Sequence, residues 1–188
     1  MLIYIHGYGS NGLSDKARHF QKIWGETQVL APSLSIESRL AMHTLDQLVA
    51  CLQQKQTKLG LIGSSLGGYF SIYLAQKYQL PAVLINPAIP PWEKDLATLI
   101  SRPGAFEWTP VHLQRLAPYR IEKPSGELQS RLLLLQQTDD EVLDANLAID
   151  YLPLATQELS QGGGHRFSNI AEFDDQMAAF FARYSVLD

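Results

Sequence analysis

Short apolar runs rich in Leu, Ile and Val alternate along the chain with longer segments of helical period. This is the pattern of strand-helix-strand units around a parallel sheet. Six runs read as strands, at about 2–6, 27–32, 58–63, 81–86, 131–137 and 156–160. A stretch as unbroken as Leu132-Leu133-Leu134-Leu135 suits a strand covered on both faces. Between the second and third strands, Leu45, Leu48, Val49 and Leu52 fall at i, i+3, i+4 and i+7, so one stripe of a helix faces the sheet. After Ser168, which reads as a helix N-cap, Ile170, Phe173, Met177, Phe180 and Phe181 recur at similar spacing and read as core. The pattern predicts an α/β domain with helices on both faces of a mostly parallel six-stranded sheet.

The alternation fails between about 88 and 127. Seven of the ten prolines lie between Pro87 and Pro124, mixed with Trp92, Phe106, Trp108 and Tyr119. Forty residues without clear period are unusual inside a compact domain and predict a lid-like insertion. Residues 1–188 otherwise read as a single domain, a length that buries roughly two thirds of the unfolded surface.

Composition narrows the class. With 46% hydrophobic and 18% charged residues and a net charge of -4, the chain reads as a soluble globular protein. Its basic residues are scattered, which argues against nucleic acid, since phosphate binding needs clustered Lys and Arg. No apolar stretch approaches the roughly 18 residues of a membrane span, and the N-terminus lacks a signal peptide's pattern, so a cytoplasmic location is expected. The single cysteine, Cys51, reads as a small buried hydrophobe.

Gly7-Tyr8-Gly9-Ser10-Asn11-Gly12 spells G-x-G-x-x-G directly after the first strand. A dinucleotide site also requires an acidic residue at the end of the second strand, where Val29-Leu30-Ala31-Pro32-Ser33 has none. Nor does Gly63-Ser64-Ser65-Leu66-Gly67-Gly68 carry the lysine of a phosphate loop. No cofactor or metal is implied.

That second glycine-rich run is G-x-S-x-G between a strand and a helix, the setting of a nucleophile elbow. Ser65 has glycines two residues away on each side, as the close strand-helix crossing requires, and sits where free N–H groups favour negative charge. Ser64 lacks that flanking. A serine needs a base, and His165 follows the last strand in Gly162-Gly163-Gly164-His165, at the sheet edge where α/β proteins bind ligands. His19, His43 and His112 read as surface residues. The imidazole in turn needs an acid, and Thr138-Asp139-Asp140-Glu141 closes the fifth strand. Pattern leaves Asp139, Asp140 and Glu141 in competition, while Asp144 reads as the cap of a helix at 145–152. The order serine, acid, histidine is that of α/β-hydrolases. His6-Gly7-Tyr8-Gly9 would then supply one oxyanion-hole N–H, from Tyr8, and Leu66 the other, with the His6 ring structural.

These motifs resemble the YqiA family of small bacterial esterases, UPF0227-like relatives of the α/β-hydrolases with a shortened sheet and no large cap. The likeness runs through Tyr4-Ile5-His6-Gly7, Gly63 to Tyr69, Pro81 to Ala88, Gln136 to Asp144 and Gly162 to His165. It implies a triad of Ser65, Asp140 and His165, a glycine in the family where this chain has Asp139, and esterase activity on acyl esters or acyl thioesters. Trp92 and Trp108 are candidates to line the substrate pocket. Two other functions fit the same motifs: an acyl thioesterase or acyltransferase, and a catalytically silent relative acting as a binding module.

Overall fold

The computed structural model describes residues 1–55, 58–89 and 110–187, apart from the side chains of Pro110 and Leu113. Six parallel strands form one sheet in the order β2-β1-β3-β4-β5-β6. They are β1 (Leu2–Ile5), β2 (Val29–Leu30), β3 (Gly60–Ser64), β4 (Ala82–Ile85), β5 (Leu132–Gln137) and β6 (Thr156–Ser160). Every strand sits where an apolar run predicts it, and the sheet is parallel throughout. Only β2 is much shorter than expected, ending before Ala31-Pro32, where proline has no N–H to extend an edge ladder.

Alternate residues of the strands feed two cores. Ile3, Ile5, Leu61, Leu84 and Leu134 face one side, with Leu45 and Val49 of α2 (Ser38–Gln54) and Phe70 and Leu74 of α3 (Leu66–Tyr78). Leu2, Tyr4, Ile62, Val83 and Leu135 face the other, with Phe20 of α1 (Asp15–Trp24) and with Met177 and Phe181 of the C-terminal helix. Burial on both faces is why β1, β4 and β5 read as continuous apolar runs.

Short helices complete the described chain: α4 (Pro110–Gln114), α5 (Gly126–Gln129) and α6 (Ala145–Tyr151), the last capped by Asp144, whose carboxylate accepts the Asn146 N–H. The C-terminal α7 (Asp174–Ala182) starts later than expected, after a 3-10 turn at Ile170–Phe173. Ser168 is not its cap, because the serine hydroxyl turns back to the Gly163 carbonyl instead. Cys51 is exposed, not buried. It lies on α2 outside the Leu45 and Val49 stripe, and helical geometry carries it to the solvent side. Of the expected lid, residues 90–109 lie outside the described residues, and Trp92, Phe106 and Trp108 with them. No helix among the described residues is long and apolar enough to cross a membrane.

Candidate active site

Parallel strands align their carboxyl ends at one edge, so the loops after β1, β3, β4, β5 and β6 converge there. Ser64 pairs with Ile85, and the chain then turns sharply at Ser65 into α3. Ser65 has φ 53° and ψ -118°, a strained backbone for a non-glycine residue. The strain is held by hydrogen bonds: Ser65 N–H donates to the Ile85 carbonyl (3.0 Å), and the Ser65 carbonyl accepts from Gly68 (2.9 Å) and Ala88 (3.0 Å).

The glycines at this turn are steric requirements. A Cβ on Gly63 would stand 2.3 Å from the Gly67 carbonyl oxygen, and one on Gly67 would stand 2.0 Å from that of Ile5. The Ser65 hydroxyl makes no capping bond to the helix it precedes, which sets it apart from an ordinary N-cap serine. Ser64, the last residue of β3, lies near Tyr4, whose phenol burial pushes up to about 12.

The loop after β1 abuts the serine, for a Cβ on Gly7 would lie 3.0 Å from Ser65 Cβ and 3.6 Å from its Oγ. Gly7 to Ser10 form a turn closed by Ser10 N–H to the Gly7 carbonyl (3.3 Å), and Gly9 takes the left-handed conformation (φ 67°) that the turn demands. His6 fastens this loop to the next. Its Nε2 accepts the Leu34 N–H (3.0 Å), so Nδ1 carries the proton and donates to the Gly7 carbonyl (2.8 Å). Burial lowers its pKa, favouring this neutral form. Leu66, the first residue of α3, has an N–H with no intrahelical carbonyl to meet. The glycine pattern that mimics a dinucleotide loop has a packing role at Gly12, where a Cβ would stand 2.0 Å from the Ala31 carbonyl oxygen.

Across the edge, Asp140 follows β5 and His165 follows β6. The His165 Nδ1 lies 2.9 Å from Asp140 Oδ2 and 3.0 Å from Oδ1. The carboxylate side chain is wholly buried, and the ring is 16% exposed. Asp140 Oδ1 also accepts the N–H groups of Val142 and Leu143, each at 2.9 Å. The three competing acids have separate partners. Asp139 accepts the Gly162 N–H (2.8 Å), and Glu141 accepts the backbone N–H of His165 itself (2.8 Å). Glu141 is held below the usual carboxylate range, chiefly by that bond.

Two residues that the sequence reading gave no role complete the frame. Asn86, at φ 41°, accepts the Gln137 N–H through Oδ1 and donates through Nδ2 to the carbonyls of Gly164 (3.0 Å) and His165 (3.2 Å). Gln137 is buried, and its Oε1 accepts the Gly163 N–H (3.0 Å) while its Nε2 donates to Ser160 and Asn169. The available signal was an asparagine at a strand end, a residue that tolerates the left-handed region. Phe167, buried and edge-on to Phe173 at 5.3 Å, anchors the far side of the histidine loop.

Asn86 directly follows Ile85, the residue that takes the Ser65 N–H, so the serine turn and the histidine loop share one scaffold. Among the described residues, Ser65 Oγ makes no hydrogen bond with the His165 ring. Such contacts often tighten only once substrate is bound. Also among the described residues, no group of three or more His, Cys, Asp or Glu is placed to hold a metal ion.

The profile of the family described as "Uncharacterised protein family (UPF0227)" matches residues 1–182. A UPF0227 protein of Vibrio cholerae serotype O1 is 26% identical over 97% of this chain and 99% of its own length. Among solved structures, an esterase of Pyrococcus furiosus superposes with a TM-score of 0.70 at 16% identity, over 97% of this chain and 81% of that one. The ydeN gene product of Bacillus subtilis gives 0.66 at 16% identity, over 96% and 98% of the two chains. The chain has the α/β-hydrolase fold.

Proposed function

Since the chain belongs to the UPF0227 family, matched from residue 1 to 182, we propose that it is a serine hydrolase of carboxylic acyl esters, a single-domain enzyme acting through an acyl group on Ser65. The observation that carries this reading is the pairing of a buried Asp140 with the His165 ring at the same sheet edge as the strained Ser65. The fold shared with an esterase supports it as an analogy of scaffold.

Asp140 accepts the Nδ1 proton of His165, which leaves Nε2 with the lone pair a general base requires. Ser65 Oγ attacks the ester carbonyl carbon as its proton passes to Nε2. The carbonyl oxygen gains the negative charge and is met by the N–H groups of Tyr8 and Leu66. Collapse expels the alcohol, which takes the proton from His165. Water, deprotonated by the same ring, then attacks the acyl-serine and releases the acid. One ester and one water become one acid and one alcohol. The same steps release a thiol from an acyl thioester.

The test is hydrolysis of 4-nitrophenyl acetate by the wild type, Ser65→Ala and His165→Ala, with folding checked by circular dichroism. Each substitution is expected to lower kcat by about a millionfold. A folded Ser65→Ala variant that keeps a tenth of the activity would overturn the proposal.

A further inference from the structure

Beside the serine turn lies a cavity of about 70 Å³. The Gly7-Tyr8 loop and Leu66 form its rim, and Leu34, Ile36, Ala41 and Phe70 give it apolar walls. No residue of the Asp140 or His165 loops lines it, so it lies on the oxyanion-loop side of Ser65. That side has a meaning in ester hydrolysis. His165 must return its proton to the leaving alcohol, so the alcohol is held near the ring and the acyl chain runs the other way.

Aliphatic walls alone would call for a plain alkyl chain. Ser38 changes that. It is the first residue of α2, lines the cavity and is 2% exposed, and its Oγ is buried with no hydrogen-bond partner among the described residues. A buried hydroxyl left unpaired is costly, and each one calls for an explanation. Capping does not supply one. Glu37 already takes the N–H groups of Arg39 and Leu40 at this helix start. Of the other polar side chains that line the cavity, His6 and Ser35 are committed to backbone, at Leu34 and Glu37.

Building on the reading of Ser65 as an ester-cleaving nucleophile, we propose that this cavity is the acyl pocket, and that it selects short acyl groups carrying a neutral hydroxyl or keto oxygen that pairs with Ser38 Oγ. Chain length is limited by the volume. On this measure a cavity needs roughly 10–15 Å³ to hold a water, so the space admits only a handful of heavy atoms beyond the carbonyl. Neutrality follows from the walls. The described residues lining the cavity include no carboxylate, ammonium or guanidinium to pair a buried charge.

The experiment compares kcat/KM for methyl esters of acetate, butanoate, 2-hydroxybutanoate, 3-hydroxybutanoate, 3-oxobutanoate and octanoate, followed by acid release at constant pH. Wild type, Ser38→Ala and Ala41→Leu are measured, with thermal unfolding to verify each fold. Wild type is expected to favour at least one oxygenated butanoate over butanoate by tenfold or more, and butanoate over octanoate by a similar factor. Ser38→Ala should bring the first ratio to within about twofold of unity. Ala41→Leu, which fills the cavity from the same face of α2, should lower all butanoate esters relative to acetate. Equal rates for all the butanoates, a preference that survives in folded Ser38→Ala, or octanoate cleaved as well as butanoate would each overturn this pocket assignment and leave the hydrolase reading standing. No turnover of any ester, with Ser65 inert to a fluorophosphonate, would overturn both.

Discussion

Asp140 Oδ2 lies 2.9 Å from His165 Nδ1, and the same carboxylate holds the N–H groups of Val142 and Leu143. The carboxylate that meets the ring is therefore itself fixed by the turn that follows it. In Asp140→Asn, the amide oxygen can still accept the two turn N–H groups, which directs Nδ2 at the ring and forces the opposite tautomer. The fold is expected to survive while kcat drops on the order of 10⁴-fold. Steady-state kinetics with a matched urea unfolding curve checks this, and a fully active Asp140→Asn would move the acid role elsewhere.

Glu141 acts on the same histidine through its backbone. Its pKa is lowered, first by the His165 N–H bond, so the folded state binds the proton less readily than the unfolded chain. Its support for the loop is full above about pH 4.5 and is lost as pH falls through the lowered folded value. Glu141→Gln keeps an acceptor and should hold kcat/KM within about threefold, whereas Glu141→Ala should lose about tenfold. Hydrogen exchange of the His165 amide should show the matching loss of protection in Glu141→Ala. Equal protection in the two variants would contradict the assignment.

His6 links two loops and does so in its neutral form. Its folded pKa lies below the ordinary value of 6.5 because of burial, so its stabilising contribution is complete above that pH and is lost as pH falls toward the folded value. His6→Ala should destabilise the protein by about 1 kcal/mol at pH 7, because the half-buried Leu34 N–H loses its acceptor. The variant should also show a shallower loss of stability than the wild type as pH falls below 6.5. Urea midpoints at pH 7 and at a series of pH values below 6.5 give both quantities. A pH dependence unchanged by the substitution would remove His6 as its source.

The serine turn tolerates no added carbon at its crossing. Gly67→Ala would drive a methyl group against the Ile5 carbonyl, where backbone cannot yield cheaply. A loss of about 3 kcal/mol or more in unfolding free energy is expected, with activity reduced in the fraction that remains folded. Wild-type stability in this variant would show that β1 and α3 cross less tightly than described.

Much of this was legible in the sequence, for physical reasons that also mark where it stopped. Strands buried on both faces leave unbroken apolar runs such as Leu132 to Leu135, and Gly63 and Gly67 announce a crossing with no room for side chains. Spacing carries no side-chain direction, so it could not say which of Asp139, Asp140 and Glu141 meets the ring and which hold the loop. Asn86 and Gln137 work through hydrogen bonds to residues 51 or more and 23 or more positions away, respectively, and no local period records such links. Cysteine is often buried, but the place of Cys51 off the Leu45 stripe turns it outward.

The proposed hydrolysis depends on Ser65 being an activated nucleophile. Intact-mass spectrometry after incubation with a fluorophosphonate tests it most directly, with peptide mapping to locate the adduct. The expected result is one adduct per wild-type chain, on Ser65, absent in Ser65→Ala and strongly slowed in His165→Ala. A folded wild-type chain that stays unlabelled, or is labelled equally in Ser65→Ala, would contradict the account.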